Sequence, residues 1–170
     1  DLRFTFKLTG RFTKALSELK KGEEIIVDGP CGIFTIEDDV KNLIFIAGGV
    51  GITPFMSIIK DRLEDHKTQK IILLYGSRTE ADIIYREQLD SIKSDWFKKV
   101  YILSHNQATS ETSDYETGYV NQEIMKKYVS NINNSLFYLC GPESMKNSLQ
   151  KILNQLGVNK RDIMIEDFFW

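Results

Sequence analysis

Residues 45–54 read Phe45-Ile46-Ala47-Gly48-Gly49-Val50-Gly51-Ile52-Thr53-Pro54, a glycine-rich turn leading out of the apolar run 43–47. A run apolar at every position suits a parallel strand covered on both faces. After the turn, Thr53 as N-cap and Pro54 as first helical residue predict a helix over 54–64. Glycines at such a turn let the backbone bend tightly and approach a pyrophosphate, whose charge the helix N-terminal N–H groups can hold. The spacing is GxGxxP, not GxGxxG, and glycines alone would indicate no more than a turn needing positive φ. Strand before and helix after supply the context that favours nucleotide binding.

Outward from this turn, strand and helix alternate to the end of the chain: strand 70–75, helix 82–92, strand 99–103, helix 121–128, strand 136–140, helix 143–156 with Gly157 as C-cap, strand 162–166. Five such strands imply right-handed crossovers and an α/β, Rossmann-like, doubly wound parallel sheet with helices on both faces. The polar stretch 106–117 reads as a surface loop with no assigned chemistry. Before residue 41 the pattern differs. Short strands are expected at 4–8, 24–27 and 33–36, with a short helix N-capped by Thr13 between the first two. Three strands neither close a barrel nor readily stand alone. Residues 1–40 are therefore expected to be the incomplete closing part of a β domain and 41–170 a nucleotide-binding domain; the start at Asp1 suits an N-terminus other than the natural one.

Composition narrows the function classes. The chain has 170 residues, 42% hydrophobic and 27% charged, with no run near the ~18 apolar residues of a membrane span. Its formal net charge of -2 gives no basic excess to neutralise phosphates, which argues against nucleic-acid binding. Two cysteines, Cys31 and Cys140, are too few for a disulfide scaffold or a four-thiolate cluster, and imply a reducing, cytoplasmic setting. No metal site is expected.

A second turn follows the fourth strand: Tyr138-Leu139-Cys140-Gly141-Pro142-Glu143-Ser144-Met145. In a sheet ordered 3-2-1-4-5, strands one and four adjoin at the switch point, so this turn and the glycine loop should face each other across one crevice. Cys140 would stand at the crevice mouth as a small polarisable group; a buried structural thiol is an equal alternative. Neither His66 nor His105 is placed to activate it, so nucleophilic thiol catalysis is not expected.

Three segments, Gly29-Pro30-Cys31-Gly32-Ile33-Phe34, Gly49-Val50-Gly51-Ile52-Thr53-Pro54 and Cys140-Gly141-Pro142-Glu143-Ser144-Met145, closely resemble in order and separation the ferredoxin-NADP reductase superfamily of flavin oxidoreductases. The resemblance covers essentially the whole chain. It implies a full NAD(P)-binding domain preceded by the last part of an FAD-binding barrel, with hydride passing from NAD(P)H to the flavin. It further implies that Gly10, Arg11 and Thr13 belong to the segment holding the flavin diphosphate. Gly48 to Pro54 would cradle the coenzyme pyrophosphate, with Thr53 near the nicotinamide. Cys140, with Gly141, Pro142 and Met145, would sit beside the nicotinamide and assist hydride transfer without a covalent bond. Glu166-Asp167-Phe168 resembles the terminal Glu-x-aromatic, in which Glu166 supports the transfer site and Phe168 covers the flavin; these aromatics could equally cap the last strand as core. The superfamily's Arg-x-Tyr-Ser/Thr flavin motif has no match in the chain and would be expected upstream of Asp1. The cysteines of a fused [2Fe-2S] domain are also absent.

Coenzyme choice turns on Tyr75-Gly76-Ser77-Arg78-Thr79-Glu80, which offers Arg78 for a 2′-phosphate and Glu80 for a ribose hydroxyl. Ser104-His105 follows the third strand where NADP-selective members that the chain resembles tend to have Ser-Arg. NADH is favoured and NADPH stays open; Ser77, Arg78 and Ser104 are the candidate contacts. Arg86 is expected to pair with Asp82 at (i, i+4). The expected function is that of an NAD(P)H-dependent flavin oxidoreductase, or a fragment of one, passing electrons to an unidentified acceptor. Its expected partners are the upstream barrel segment and that acceptor, with any membrane or redox-partner attachment through parts outside this chain. The alternative is a noncatalytic nucleotide-binding or regulatory module.

Overall fold

In β1, Asn42–Gly48, the run from Leu43 to Ala47 is essentially inaccessible to solvent, as an uninterrupted apolar strand requires. It occupies the interior of a six-stranded, all-parallel sheet in a computed structural model that describes residues 2–29, 31–36, 42–65, 69–105 and 115–167. The other strands are β2 (Lys70–Ser77), β3 (Phe97–Leu103), β4 (Tyr115–Thr117), β5 (Leu136–Cys140) and β6 (Ile163–Glu166), in the order β4-β3-β2-β1-β5-β6. Five of the six are the expected strands in the expected order. The sixth, β4, lies within the stretch 106–117 read as loop; its three residues pair Tyr101 with Tyr115 and Leu103 with Thr117, too short a pairing to leave a periodic signal. Residues 106–114 lie outside the described residues.

Strand alternation sorts the core into two layers. Leu43, Phe45, Ala47, Leu73, Tyr75 and Tyr138 face α2 (Ile52–Asp65) and α3 (Arg86–Ser91). Ile44, Ile46, Leu74, Phe137 and Leu139 face α4 (Gln122–Tyr128) and α5 (Glu143–Gln155). Phe45 stacks on Phe55 of α2 at 4.7 Å between ring centroids, and Phe34 meets both Phe55 and Tyr138 edge-on. The Asn121 side chain accepts a hydrogen bond from the Ile124 amide at 2.9 Å and so caps α4.

Several expected boundaries shift for local reasons. The helix expected over 54–64 starts earlier, as a single 3-10 turn Gly49–Gly51 running into α2, so Thr53 lies inside the helix and is not its N-cap. Pro54 is tolerated there because first-turn N–H groups have no intrahelical acceptor to lose. The helix expected over 82–92 is broken into a single turn Glu80–Asp82 and α3. Asp82 accepts from the Thr79 amide and hydroxyl, and Tyr85 adopts φ 60, which interrupts the ladder. At the end of α5, Leu156 and not Gly157 takes the C-cap position.

The chain divides into two units, Asp1–Ile33 and Phe34–Trp170, a division seven residues ahead of the 40/41 boundary expected from periodicity because Phe34 and Ile36 pack into the second unit's core. The first unit holds α1, Arg11–Glu18. The expected strands 4–8, 24–27 and 33–36 do not form among the described residues, since strands exist only with ladder partners. Several of their apolar side chains, Phe4, Leu8, Ile25, Ile26 and Ile33, are exposed. Thr13 is the third residue of α1 and not its N-cap; its buried hydroxyl reaches back to accept from the Thr9 and Gly10 amides at 3.0 and 3.2 Å.

Candidate functional site

The C-terminal ends of the strands bring the glycine loop and the Cys140 turn together. Gly48 is in register with Gly76 and Ala47 with Cys140, so the glycine loop leaves β1 beside the turn that leaves β5. The contact is at backbone level. A Cβ built on Gly51 would stand 2.2 Å from the Cys140 carbonyl oxygen and 2.8 Å from the Gly141 nitrogen. One built on Gly48 would stand 2.8 Å from both Pro142 Cδ and Met145 Sδ, and one on Gly141 3.0 Å from the Gly48 backbone. Gly49 is different: its φ is 53, in the left-handed region, and nothing lies within 4 Å of its missing side chain. The flank of Gly49 is thus open, while Gly51, expected to belong to the pyrophosphate cradle, packs against the backbone of Cys140 and Gly141. The N–H groups of Gly49 and Val50, the first two of this 3-10 turn, lack intrahelical acceptors, as an anion site needs.

Cys140 lies at the end of β5 but is fully buried, not at the crevice mouth. Burial, reinforced by the Glu166 carboxylate and opposed by Lys146, pushes its thiol up to about 12. A thiol so protonated is no nucleophile, and its remaining capacity is as a polarisable surface. Glu166 is half-buried and pairs in register with Cys140. The next residue, Asp167, forms an ion pair with Lys146, whose side chain is only 6% exposed and which also lies 3.4 Å from Glu143. Thr53 is half-buried in the first turn of α2, and Phe168 lies outside the described residues.

A second group gathers beyond β2 and β3. The Ser104 and His105 amides donate to the carbonyls of Ser77 and Arg78 at 3.0 and 2.9 Å, holding these four residues together. The Ser77 hydroxyl is buried and makes no hydrogen bond among the described residues, although it lies near enough to the Tyr75 phenol to favour its ionised form. Such a group is one that a ligand hydroxyl or phosphate oxygen can satisfy. Arg78 is exposed. Arg86 does not pair with Asp82 as expected: it meets Glu80 at 3.1 Å and Asp90 at 3.6 Å, because the break at Tyr85 turns α3 away from Asp82.

Two contributors escaped the sequence reading. Lys146 is a lysine on an otherwise ordinary amphipathic helix. Tyr75 looks like any strand aromatic, yet its hydroxyl donates to the Gly49 carbonyl at 3.0 Å and accepts from the Ile84 amide at 3.2 Å. Its placement beside Gly76 at a strand end was the available signal, because a buried tyrosine usually finds a partner for its hydroxyl.

A family model described as the oxidoreductase NAD-binding domain matches residues 45–151. The chain is 32% identical over 165 residues to one subunit of the Na(+)-translocating NADH-quinone reductase of Yersinia enterocolitica, a match spanning 94% of this chain and 40% of that relative. It thus spans well under half the length of the curated relatives it matches. Among solved structures, the CS-b5R domains of human Ncb5or in the NAD+ form superpose with a TM-score of 0.81 at 26% identity, over 95% of this chain and 47% of that one. A ferredoxin NADP+ reductase from Neisseria gonorrhoeae with bound FAD and NADP gives 0.77 at 20% identity, over 94% and 70%, a likeness of fold. No helix among the described residues is long and apolar enough to cross a membrane.

Proposed function

The chain belongs to the oxidoreductase NAD-binding domain family of the ferredoxin-NADP reductase superfamily, and from that membership we propose that it binds NADH and delivers its hydride to a flavin within a longer reductase. The observation that carries this reading is the crevice at the strand ends, where Gly49 is left-handed and open while Gly48 and Gly51 lock the loop onto the Cys140 turn. There the first-turn amides hold the pyrophosphate, and Thr53 and the Cys140 turn position the nicotinamide. Ser77, Arg78 and Ser104 meet the adenosine end, the orphan Ser77 hydroxyl gaining a partner. Glu166 supports the transfer site from the neighbouring strand end. The relative's name, an NADH-quinone reductase, supports NADH over NADPH.

Residues 1–40 serve as the closing part of an FAD-binding barrel and 41–170 as the coenzyme domain. Thr13 already holds the Thr9 and Gly10 amides, so the exposed Arg11 side chain and the first-turn N–H groups of α1 would meet the flavin diphosphate. The flavin, when bound, supplies the redox chemistry, taking the hydride and passing electrons to an acceptor. The partners are the upstream barrel segment and that acceptor, and the chain works in the cytoplasm, attached to any membrane only through other parts of its protein. Calorimetric titration with NADH, NADPH and ADP-ribose tests the site: NADH and ADP-ribose should bind, NADH more tightly than NADPH. A folded chain that binds none of the three would refute the reading.

A further inference from the structure

Tyr75 is fully buried in β2, one residue before Gly76, with its ring 6.2 Å from that of Tyr101. Its hydroxyl bridges two segments that no strand joins: it donates to the Gly49 carbonyl and accepts from the Ile84 amide. The peptide plane gives the first of these bonds a consequence. In a trans peptide the carbonyl of one residue and the N–H of the next point in opposite directions. With the Gly49 carbonyl drawn inward to Tyr75, the Val50 N–H points the opposite way, away from the Tyr75 hydroxyl. If that peptide flipped, a carbonyl dipole would replace the N–H and repel an anion there. Such a flip changes ψ of Gly49, where a glycine has the widest freedom, together with φ of Val50. The Ile52 amide also reaches the Gly49 carbonyl, so two donors hold one oxygen.

We propose that Tyr75 is a positioning residue of the dinucleotide site, its hydroxyl latching the Gly49–Val50 peptide in the anion-binding orientation and coupling that loop to the segment ahead of α3. This rests on the nucleotide reading of the glycine loop. Desolvation pushes the phenol up to about 12, so it remains a neutral donor throughout the working pH range. The second bond extends the latch: Ile84 follows the turn Glu80–Asp82, so an occupied pyrophosphate loop steadies the chain that follows Arg78.

The test is Tyr75→Phe, which keeps the ring and removes the oxygen. By calorimetry, ADP-ribose should bind about tenfold more weakly to Y75F, the loss expected for one hydrogen bond. Adenosine, which has no pyrophosphate, should change less than about twofold on the same scale. A merely structural role would lower the melting temperature and leave that ratio unmoved. Equal ADP-ribose affinity in both proteins would overturn the role of Tyr75 alone; wild-type protein that binds no ADP-ribose would overturn the reading of the loop as well. Should Y75F fail to fold, amide exchange in the wild type decides: ADP-ribose should slow exchange at both Val50 and Ile84, and protection of Val50 without Ile84 would overturn the coupling.

Discussion

Gly51→Ala offers a sharp test of how the crevice is built. Gly51 does not have positive φ and sits in a helical turn, so on local grounds alanine should stabilise it, by about 0.4–1 kcal/mol. Tertiary contact reverses the sign. The added Cβ would lie 2.2 Å from the Cys140 carbonyl oxygen, about 1.2 Å inside the 3.4 Å at which ordinary contact begins. It would also lie 2.5 Å from the Cys140 carbonyl carbon, and both obstacles are backbone, which cannot rotate away like a side chain. Relieving the clash means shifting the loop against β5, an overpacking cost of about 1–3 kcal/mol or more. For a chain of this length each kcal/mol moves the melting temperature by about 2–4 °C, so a fall of roughly 2–12 °C is expected. Differential scanning calorimetry would measure it, with Gly76→Ala as control, whose Cβ would meet nothing closer than 3.6 Å. Gly49→Ala should behave in a third way, losing about 1–2 kcal/mol through its left-handed backbone while meeting no neighbour. A Gly51→Ala protein as stable as the wild type, or more so, would refute the proposed packing of the two turns.

Ellman's reagent should titrate exposed Cys31 rapidly and buried Cys140 only on unfolding; two equally fast thiols would contradict the burial. Because folding raises the Cys140 thiol from 9.0 to about 12 and the Tyr75 phenol from 10.0 to about 12, unfolding releases protons in alkali. Stability should therefore be intact below pH 9 and decline as pH rises toward about 12, with the earliest part of the decline missing in Cys140→Ser, as urea melts at stepped pH would show. Asp167→Asn should destabilise by about 1–2 kcal/mol because it leaves the buried Lys146 with only Glu143, whereas Lys146→Met should cost less, its carboxylate partner being half-exposed. The reverse order in urea unfolding would argue against that pairing. Arg78→Ala should weaken NADPH binding more than NADH binding by calorimetry, since only the former carries a 2′-phosphate; equal losses would remove Arg78 from coenzyme choice.

The sheet was legible because its strands are long enough to carry a pattern. Leu43 to Ala47 and Leu136 to Cys140 are apolar at every position, and each helix after them shows its own spacing or cap. What was not legible was short or depended on partners. β4 is three residues long, and the strands expected before residue 41 have apolar alternation without a ladder to join. The crevice followed from topology, since neighbouring parallel strands must end side by side, but the duties of its glycines did not.

Local order along the chain thus determined the parallel sheet, its central strand and the meeting of the glycine loop with the Cys140 turn, because hydrophobic period and chain direction are recorded in neighbouring residues. Tertiary structure alone decided that Gly51 faces backbone and Gly49 faces open space, that Tyr75 reaches Gly49 across 26 positions, and that Lys146 lies buried against Asp167. Those facts depend on where atoms from distant segments stop when they pack, a distance of an ångström or two that no periodicity along one strand or helix encodes.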